Sequence, residues 1–190
     1  MTSTSEARAV VLVEGDSDRN AVLTLAERLG RDLLAERVEV VAMGGATNIG
    51  HALEEYGPGG RDLELHGLYD EGEERFFRRG LERVGLGADL DRAQLAELGF
   101  HCCVVDLEDE LVRALGVPAV EAIIESEGEA RSWGRFLSQP DRAGRPMQDQ
   151  LRRFMGTRSG RKIRYGGLLV AALDLDRVPD PLADLLEGLA

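Results

Sequence analysis

The stretch VVLVEGDSDRNAVLTLAERLG, residues 10–30, constrains the fold more than any other part of the chain. An unbroken apolar run from Val10 to Val13 reads as a strand buried on both faces, because a half-exposed strand would alternate. The run stops at Glu14, Gly15, Asp16, Ser17 and Asp18. Apolar residues then recur at helical spacing (Val22, Leu25, Ala26, Leu29, Leu33), which predicts a helix from Ser17 to about Glu36. A doubly covered strand running straight into a helix belongs in a parallel sheet with helical layers.

The same unit recurs. RVEVVAM, ending at Met43, predicts a second strand, followed by the turn GGATNIG and a short helix stopped by YGPGG. LELHGLY is a third strand leading into Asp70, with helices expected over 71–84 and 89–98. FHCCVV is a fourth, and DLEDELVRALG opens a helix closed by Gly116 and Pro118. Beyond Pro118 the pattern is helical only: 118–127, about 130–138, about 147–155, about 162–173 and 181–189. The expectation is an α/β fold, a four-stranded parallel sheet over residues 1–117, with a helical extension over 118–190 packed on it as one domain.

Composition narrows the function. With 43% hydrophobic and 31% charged residues, the 190-residue chain is globular rather than disordered. It lacks a bilayer-spanning run, and MTSTSEAR lacks the layout of a signal peptide, so the cytoplasm is expected. Cys102 and Cys103 are adjacent. Strand alternation sends them to opposite faces, which argues for buried strand residues over a metal site shared with His101. The net charge of −12 is unevenly spread: residues 131–167 hold ten basic residues against two acids, a local +8 suited to a phosphate backbone or to a solvated surface. Lys162 is the single lysine among 23 basic residues, which points to a position where a compact ammonium is needed. Trp133 is either a helix anchor or a stacking platform for a base.

In a parallel sheet the loops after the strands share one edge, and sites form there. Three of the four strands end in acids: Glu14 with Asp16 and Asp18; Asp70 with Glu71, Glu73 and Glu74; Asp106 with Glu108, Asp109 and Glu110. The second strand ends in GGATN, whose backbone N–H groups could meet an oxyanion. Helix capping accounts for Asp16, Ser17 and Asp109 but not for Glu14 and Asp70, which stand at strand ends. Acids gathered on one edge repel one another unless a cation neutralises them, and hard oxygen donors suit Mg²⁺ or Mn²⁺. Two such ions clamp the attacking and leaving oxygens of a phosphodiester.

VLVEGDSDRNAVLTLAERLG, VVAMGGATNI, LHGLYDEGEE and VVDLEDELVRALG, in that order, resemble the TOPRIM domain, a Rossmann-like fold. The branch they resemble most is the nuclease domain of OLD-family (overcoming lysogenization defect) endonucleases, and MGTRSGRKIRYGGLLVAAL is similar to that branch's lysine-bearing segment. The resemblance implies a metal-dependent endonuclease acting on DNA with one or two Mg²⁺ or Mn²⁺ ions. It implies that Glu14 is a metal ligand or general acid/base, that Asp18 and Asp70 are ligands, and that Glu108 serves a second metal. Lys162 would meet charge developing on the phosphate. TOPRIM domains place a second aspartate two residues after the first, where this chain has Gly72; Glu74, one helical turn beyond Asp70, or Glu73 would substitute. Arg158, Arg161 and Arg164 would hold the nucleic-acid backbone.

GTRSGRK is not a P-loop: its spacing differs, Ile163 follows the lysine and no strand precedes it. The ATPase module of OLD relatives is thus expected on a separate partner chain or lost. GGATNIG is not a dinucleotide fingerprint. Topoisomerase and primase activities would need further domains. Two alternatives to a DNA nuclease stay open: a nucleic-acid-binding or regulatory module that does not cut, and an RNA-processing nuclease of the same fold.

Overall fold

The four apolar runs pair as one parallel sheet in the computed structural model, which describes residues 6–190, with Ser159 described by its backbone alone. Strands β1 (Ala9–Val13), β2 (Val38–Ala42), β3 (Glu64–Asp70) and β4 (Phe100–Cys103) lie in the order β2-β1-β3-β4. The first five residues of MTSTSEAR fall outside the described residues. β1 pairs with β2 from Ala9 opposite Val38 to Val13 opposite Ala42, and with β3 from Ala9 opposite Glu64 to Leu12 opposite Gly67. This register brings the ends of β1 and β3 to one edge, with Glu14 and Asp70 beside each other.

β1 is completely buried because each face has its own helical layer. Val10 and Leu12 pack against α2 (Ile49–Tyr56), α3 (Glu74–Arg83) and α4 (Arg92–Glu97) through Leu53, Phe77 and Leu95. Ala9, Val11 and Val13 face α1 (Asp16–Arg28) and α5 (Leu107–Leu115) on the other side. The later helices, α6 (Val117–Ser126), α7 (Ala130–Leu137), α8 (Met147–Gly156), α9 (Ser159–Ala172) and α10 (Asp180–Gly188), join that second layer. Ile124, Phe154, Leu169 and Leu185 share its cluster with Val22 and Leu111. Burying each such side chain stabilises the fold by about 1.5–3 kcal/mol. Cys103 lies in this cluster and Cys102 packs on the opposite one, the alternation expected of a strand.

Two boundaries differ from the periodicity. α1 ends at Arg28, not near Glu36, because Gly30 takes a left-handed φ of 72°. Gly30 N–H donates to Glu27 O and Arg31 N–H to Ala26 O, the paired bonds of a Schellman stop. Leu34 is left 83% exposed as a result. β4 ends at Cys103, two residues early, because Val105 has a φ of 70°. A left-handed β-branched residue costs about 1–2 kcal/mol, and here it turns the chain so that Asp106 opens α5 at the acidic edge. Glycine removes that strain but adds about 0.5–1 kcal/mol of chain entropy. Val105→Gly should therefore be slightly stabilising, raising the thermal midpoint by about 1–3 °C; a lower midpoint would contradict strain at this turn.

Trp133 is a helix anchor. It is 7% exposed, stacks on Phe136 at 5.6 Å between centroids, and donates its indole N–H to Glu121 Oε1 at 3.1 Å. Its face is not available to a base.

Candidate metal centre

The site is built where β1, β3 and α5 present their acids. Glu14 follows β1, and Gly15 is the N-cap of α1 with extended backbone. Asp18, at the third helical position, reaches back so that its Oδ2 accepts from Gly15 N–H at 2.9 Å. Asp70 ends β3, and a single 3-10 turn, Glu71–Glu73, separates it from α3. That turn swings Glu73 inward. One oxygen each of Glu14, Asp70 and Glu73 lie within 4.8 Å of one another, and Glu73 Oε2 is buried without a hydrogen-bond partner.

Glu74 is elsewhere. Its carboxylate takes Arg78 on one oxygen and Arg92 Nε, at 2.8 Å, on the other. Of the two residues expected to stand in for the missing aspartate at Gly72, Glu74 is thus engaged outside the cluster and Glu73 lies within it. A continuous helix from Glu71 would put Glu74 one turn above Asp70; the tighter 3-10 winding changes which acid points back.

Glu108, 3% exposed, sits in the first turn of α5. Ser17 Oγ donates to its Oε1 at 2.7 Å and Lys162 Nζ lies 3.3 Å from its Oε2. Ser17 therefore bridges α1 to α5 and does not cap its own helix. Capping at α5 is the work of Asp106, whose Oδ1 accepts from Asp109 N–H at 2.8 Å, while Arg152 Nη1 holds its Oδ2 at 2.7 Å. Asp106 and Ser17 stand out only in the structure, because the sequence signal for both is that of ordinary capping residues.

The electrostatics reflect the crowding. Burial, then the charges of Asp18, Asp106, Glu14 and Glu108, push Asp70 up to about 8. Burial and the Glu108 charge push Asp18 up to about 6. Glu14 is raised by burial and by sharing a hydrogen bond and like charge with Glu73. Burial works against the Lys162 ammonium, yet Glu108, Asp18 and Asp106 hold its pKa above the ordinary lysine value. Lys162 on Glu108 and Arg152 on Asp106 are too few cations for these acids, which leaves the edge negative.

Lys162 is aimed by glycines. A Cβ on Gly166 would stand 2.5 Å from Ser17 O, and one on Gly167 2.6 Å from Asn20 Nδ2. α9 thus packs directly on the first turns of α1, one helical turn from Lys162. Gly166→Val should cost about 1–3 kcal/mol through overpacking and displace the ammonium. A melting midpoint within a degree of the native chain would contradict this close crossing.

A cleft of about 240 Å³ opens beside the β1–α1 turn, lined by Glu14, Asp18, Gly44, Gly45 and Lys162 among others. The glycines permit the close turn with φ of 74° and 127°. Gly45 N–H donates to Glu14 O at 3.0 Å, so this amide holds the loop against β1 and does not face an oxyanion.

Of the three arginines expected to meet nucleic acid, only Arg158 is exposed without an acid partner among the described residues. Arg161 is 6% exposed, pairs with Glu129 at 2.6 Å and stacks 4.0 Å from the Phe154 centroid. It is a core-facing strut, since α9's own hydrophobic face carries it inward. Arg164 pairs with Glu127 at 3.5 Å and with Glu129.

No helix among the described residues is long and apolar enough to cross a membrane. The family model "Overcoming lysogenization defect protein-like, TOPRIM domain" matches residues 7–56, which hold β1, α1, β2 and α2. No curated protein matches the chain. Among solved structures, the C-terminal region of the Burkholderia pseudomallei OLD protein aligns over 96% of this chain and 97% of its own, at 22% identity and a TM-score of 0.74. The C-terminal region of the Xanthomonas campestris pv. campestris OLD protein covers 96% of this chain and 92% of its own, at 25% identity and a TM-score of 0.72. The shared architecture takes in the helices after Pro118 as well as the sheet, so the fold of this chain is that of an OLD-like TOPRIM domain.

Proposed function

We propose that this chain is a metal-dependent nuclease that hydrolyses phosphodiester bonds of DNA. The observation that carries the reading is the convergence of Glu14, Asp70 and Glu73 within 4.8 Å, beside Lys162 paired to a buried Glu108. The donor set fits a hard divalent cation: three carboxylates, one with a buried oxygen that has no partner, and raised carboxyl pKa values that a cation would relieve. Glu14, Asp70 and Glu73 would hold Mg²⁺ or Mn²⁺, with Asp18 and Glu108 offering a second position. Such an ion supplies Lewis acidity and lowers the pKa of its bound water.

The chain's own groups set the rest. Ser17 and Lys162 each take one oxygen of Glu108 and so fix its orientation before any ligand arrives. The Lys162 side chain is 42% exposed, so its ammonium can turn its remaining protons toward a non-bridging phosphate oxygen. Glu14, whose pKa burial and Glu73 raise from the ordinary glutamate value, lines the cleft, where it would move a proton.

The test is a plasmid-nicking assay. Relaxed and linear forms should accumulate in Mg²⁺ or Mn²⁺ and not in EDTA. An intact supercoiled plasmid under every metal condition would sink the cleavage reading, and cutting of folded RNA with the plasmid untouched would sink the DNA assignment.

A further inference from the structure

Four of the nine arginines of the basic segment have acid partners within the fold, Arg142 with Asp141 among them. Arg152 pairs with Asp106, Arg161 with Glu129, and Arg164 with Glu127 and Glu129. Arg131, Arg135, Arg145, Arg153 and Arg158 are exposed and, among the described residues, have no such partner; the clefts of the fold single out Arg131, Arg135 and Arg158. These three gather in one place. Two adjoining clefts, of about 280 and 590 Å³, share Ser132, Arg135, Arg158 and Arg161, and the larger adds Arg131.

Arg131 and Arg135 stand one turn apart on α7, a like-charge spacing that destabilises a helix unless an anion sits between them. The acid at the rim, Glu129, is already engaged by Arg161 and Arg164, so it does not neutralise them. Ser132 Oγ accepts from Arg161 Nη2 at 3.2 Å, which leaves its own hydroxyl proton to donate. The cleft therefore offers guanidinium forks and a hydroxyl donor to an oxyanion, the donor set that recognises phosphate.

We propose that this cleft between α7 and the start of α9 grips a backbone phosphate of the polynucleotide strand, away from the bond at the metal centre. Arg158 is the N-cap of α9 and its carbonyl accepts from Lys162 N–H at 3.0 Å, so the start of one helix places both the strand contact and the ammonium at the scissile phosphate. Three separated guanidiniums over two joined clefts exceed what one free phosphate needs, which favours a strand. The proposal rests on the reading that the substrate is a nucleic acid, but not on its being cut.

The experiment measures binding of a labelled oligonucleotide by anisotropy in EDTA across a salt series, and nicking of plasmid in Mg²⁺, for the native chain, Arg135→Gln, Arg158→Gln and Arg177→Gln. Arg177 is exposed on the turn before α10 and controls for net charge. Arg135→Gln and Arg158→Gln should each lower the log–log salt slope by about one and raise KM for nicking with kcat kept. Arg177→Gln should do neither. Salt slopes equal to the native chain's, equal losses in Arg177→Gln, or no oligonucleotide binding in any form would overturn the proposal. So would inorganic phosphate raising the melting midpoint of the native chain but not of Arg158→Gln while the oligonucleotide slopes stay equal, since the cleft would then be a free-phosphate site. Arginine-dependent binding with no nicking under any metal would sustain the cleft and remove the cleavage reading. Metal-dependent nicking indifferent to both arginines would do the reverse.

Discussion

Lys162→Ala and Glu14→Gln are each expected to lower Mg²⁺-dependent nicking by about a hundredfold or more, the usual cost of removing one preorganised charge from a reacting phosphate or its ligand set. Glu14→Gln keeps the shape of the side chain and removes one of three carboxylates that meet within 4.8 Å. Lys162→Ala removes the one cation that neutralises Glu108. Lys162→Arg should fail to rescue, because a planar fork replaces a compact ammonium between a buried carboxylate and the open cleft. A structural role for Lys162 predicts something else. If it served only to neutralise Glu108, then Lys162→Met with Glu108→Gln would remove both charges together and return stability and activity alike. The catalytic reading expects stability to recover in the double variant and nicking to stay lost. Nicking within threefold of the native rate in Lys162→Ala would end that reading.

How far the site could be read from sequence depended on the kind of interaction. Strand ends were legible because a buried apolar run and the first polar residue after it mark a strand's end: Glu14 and Asp70 follow from VVLV and LHGLY, and the sheet register then makes them neighbours. Lys162 was legible only as an oddity of composition, and its contact with Glu108 spans 54 positions that no periodicity connects. The choice between Glu73 and Glu74 was not legible, since helical and 3-10 winding differ by a fraction of a turn over three residues and tertiary packing decides between them. Arginine partners were also out of reach. Charge counting treats Arg158, Arg161 and Arg164 alike, whereas the fold buries one, pairs another and leaves the first exposed. The glycines of α9 read as weak helix residues, and only the crossing against Ser17 and Asn20 explains why a side chain there would not fit.

Without a divalent ion, the chain should lose stability as pH rises from about 5 to 8. Asp18 and Asp70 have folded pKa values raised to about 6 and about 8, above the ordinary aspartate value of 3.8. The folded state then binds more protons than the unfolded one between those limits, so their contribution is full below pH 4 and falls as pH passes 6 and then 8. Glu14, raised as well, acts in the same sense. Acids lowered by hydrogen-bonded arginines, such as Glu36 on Arg31 and Glu39 on Arg61, act oppositely, but their change lies below the ordinary glutamate value of 4.5 and outside this window. His101, lowered by burial, opposes the loss inside it only up to its ordinary value of 6.5, so the fall between pH 6.5 and 8 belongs to the acids. A loss of about 2–3 kcal/mol is the scale such shifts support once solvent screening of a cleft is allowed for, which lowers the midpoint by about 5–10 °C for a domain of this size. Millimolar Mg²⁺ or Mn²⁺ should recover most of that at pH 8, because the ion binds the ionised carboxylates of the folded state alone. Asp70→Asn should flatten the pH dependence in EDTA and shrink the gain from metal, since it removes both the most repelled charge and a ligand. Thermal melts of the two chains at pH 5 and 8, with and without metal, read all of this together. A midpoint in EDTA that is flat or rises from pH 5 to 8 would show that the acids at the strand ends are not crowded, and with that the physical reason for a cation between Glu14, Asp70 and Glu73 would be gone.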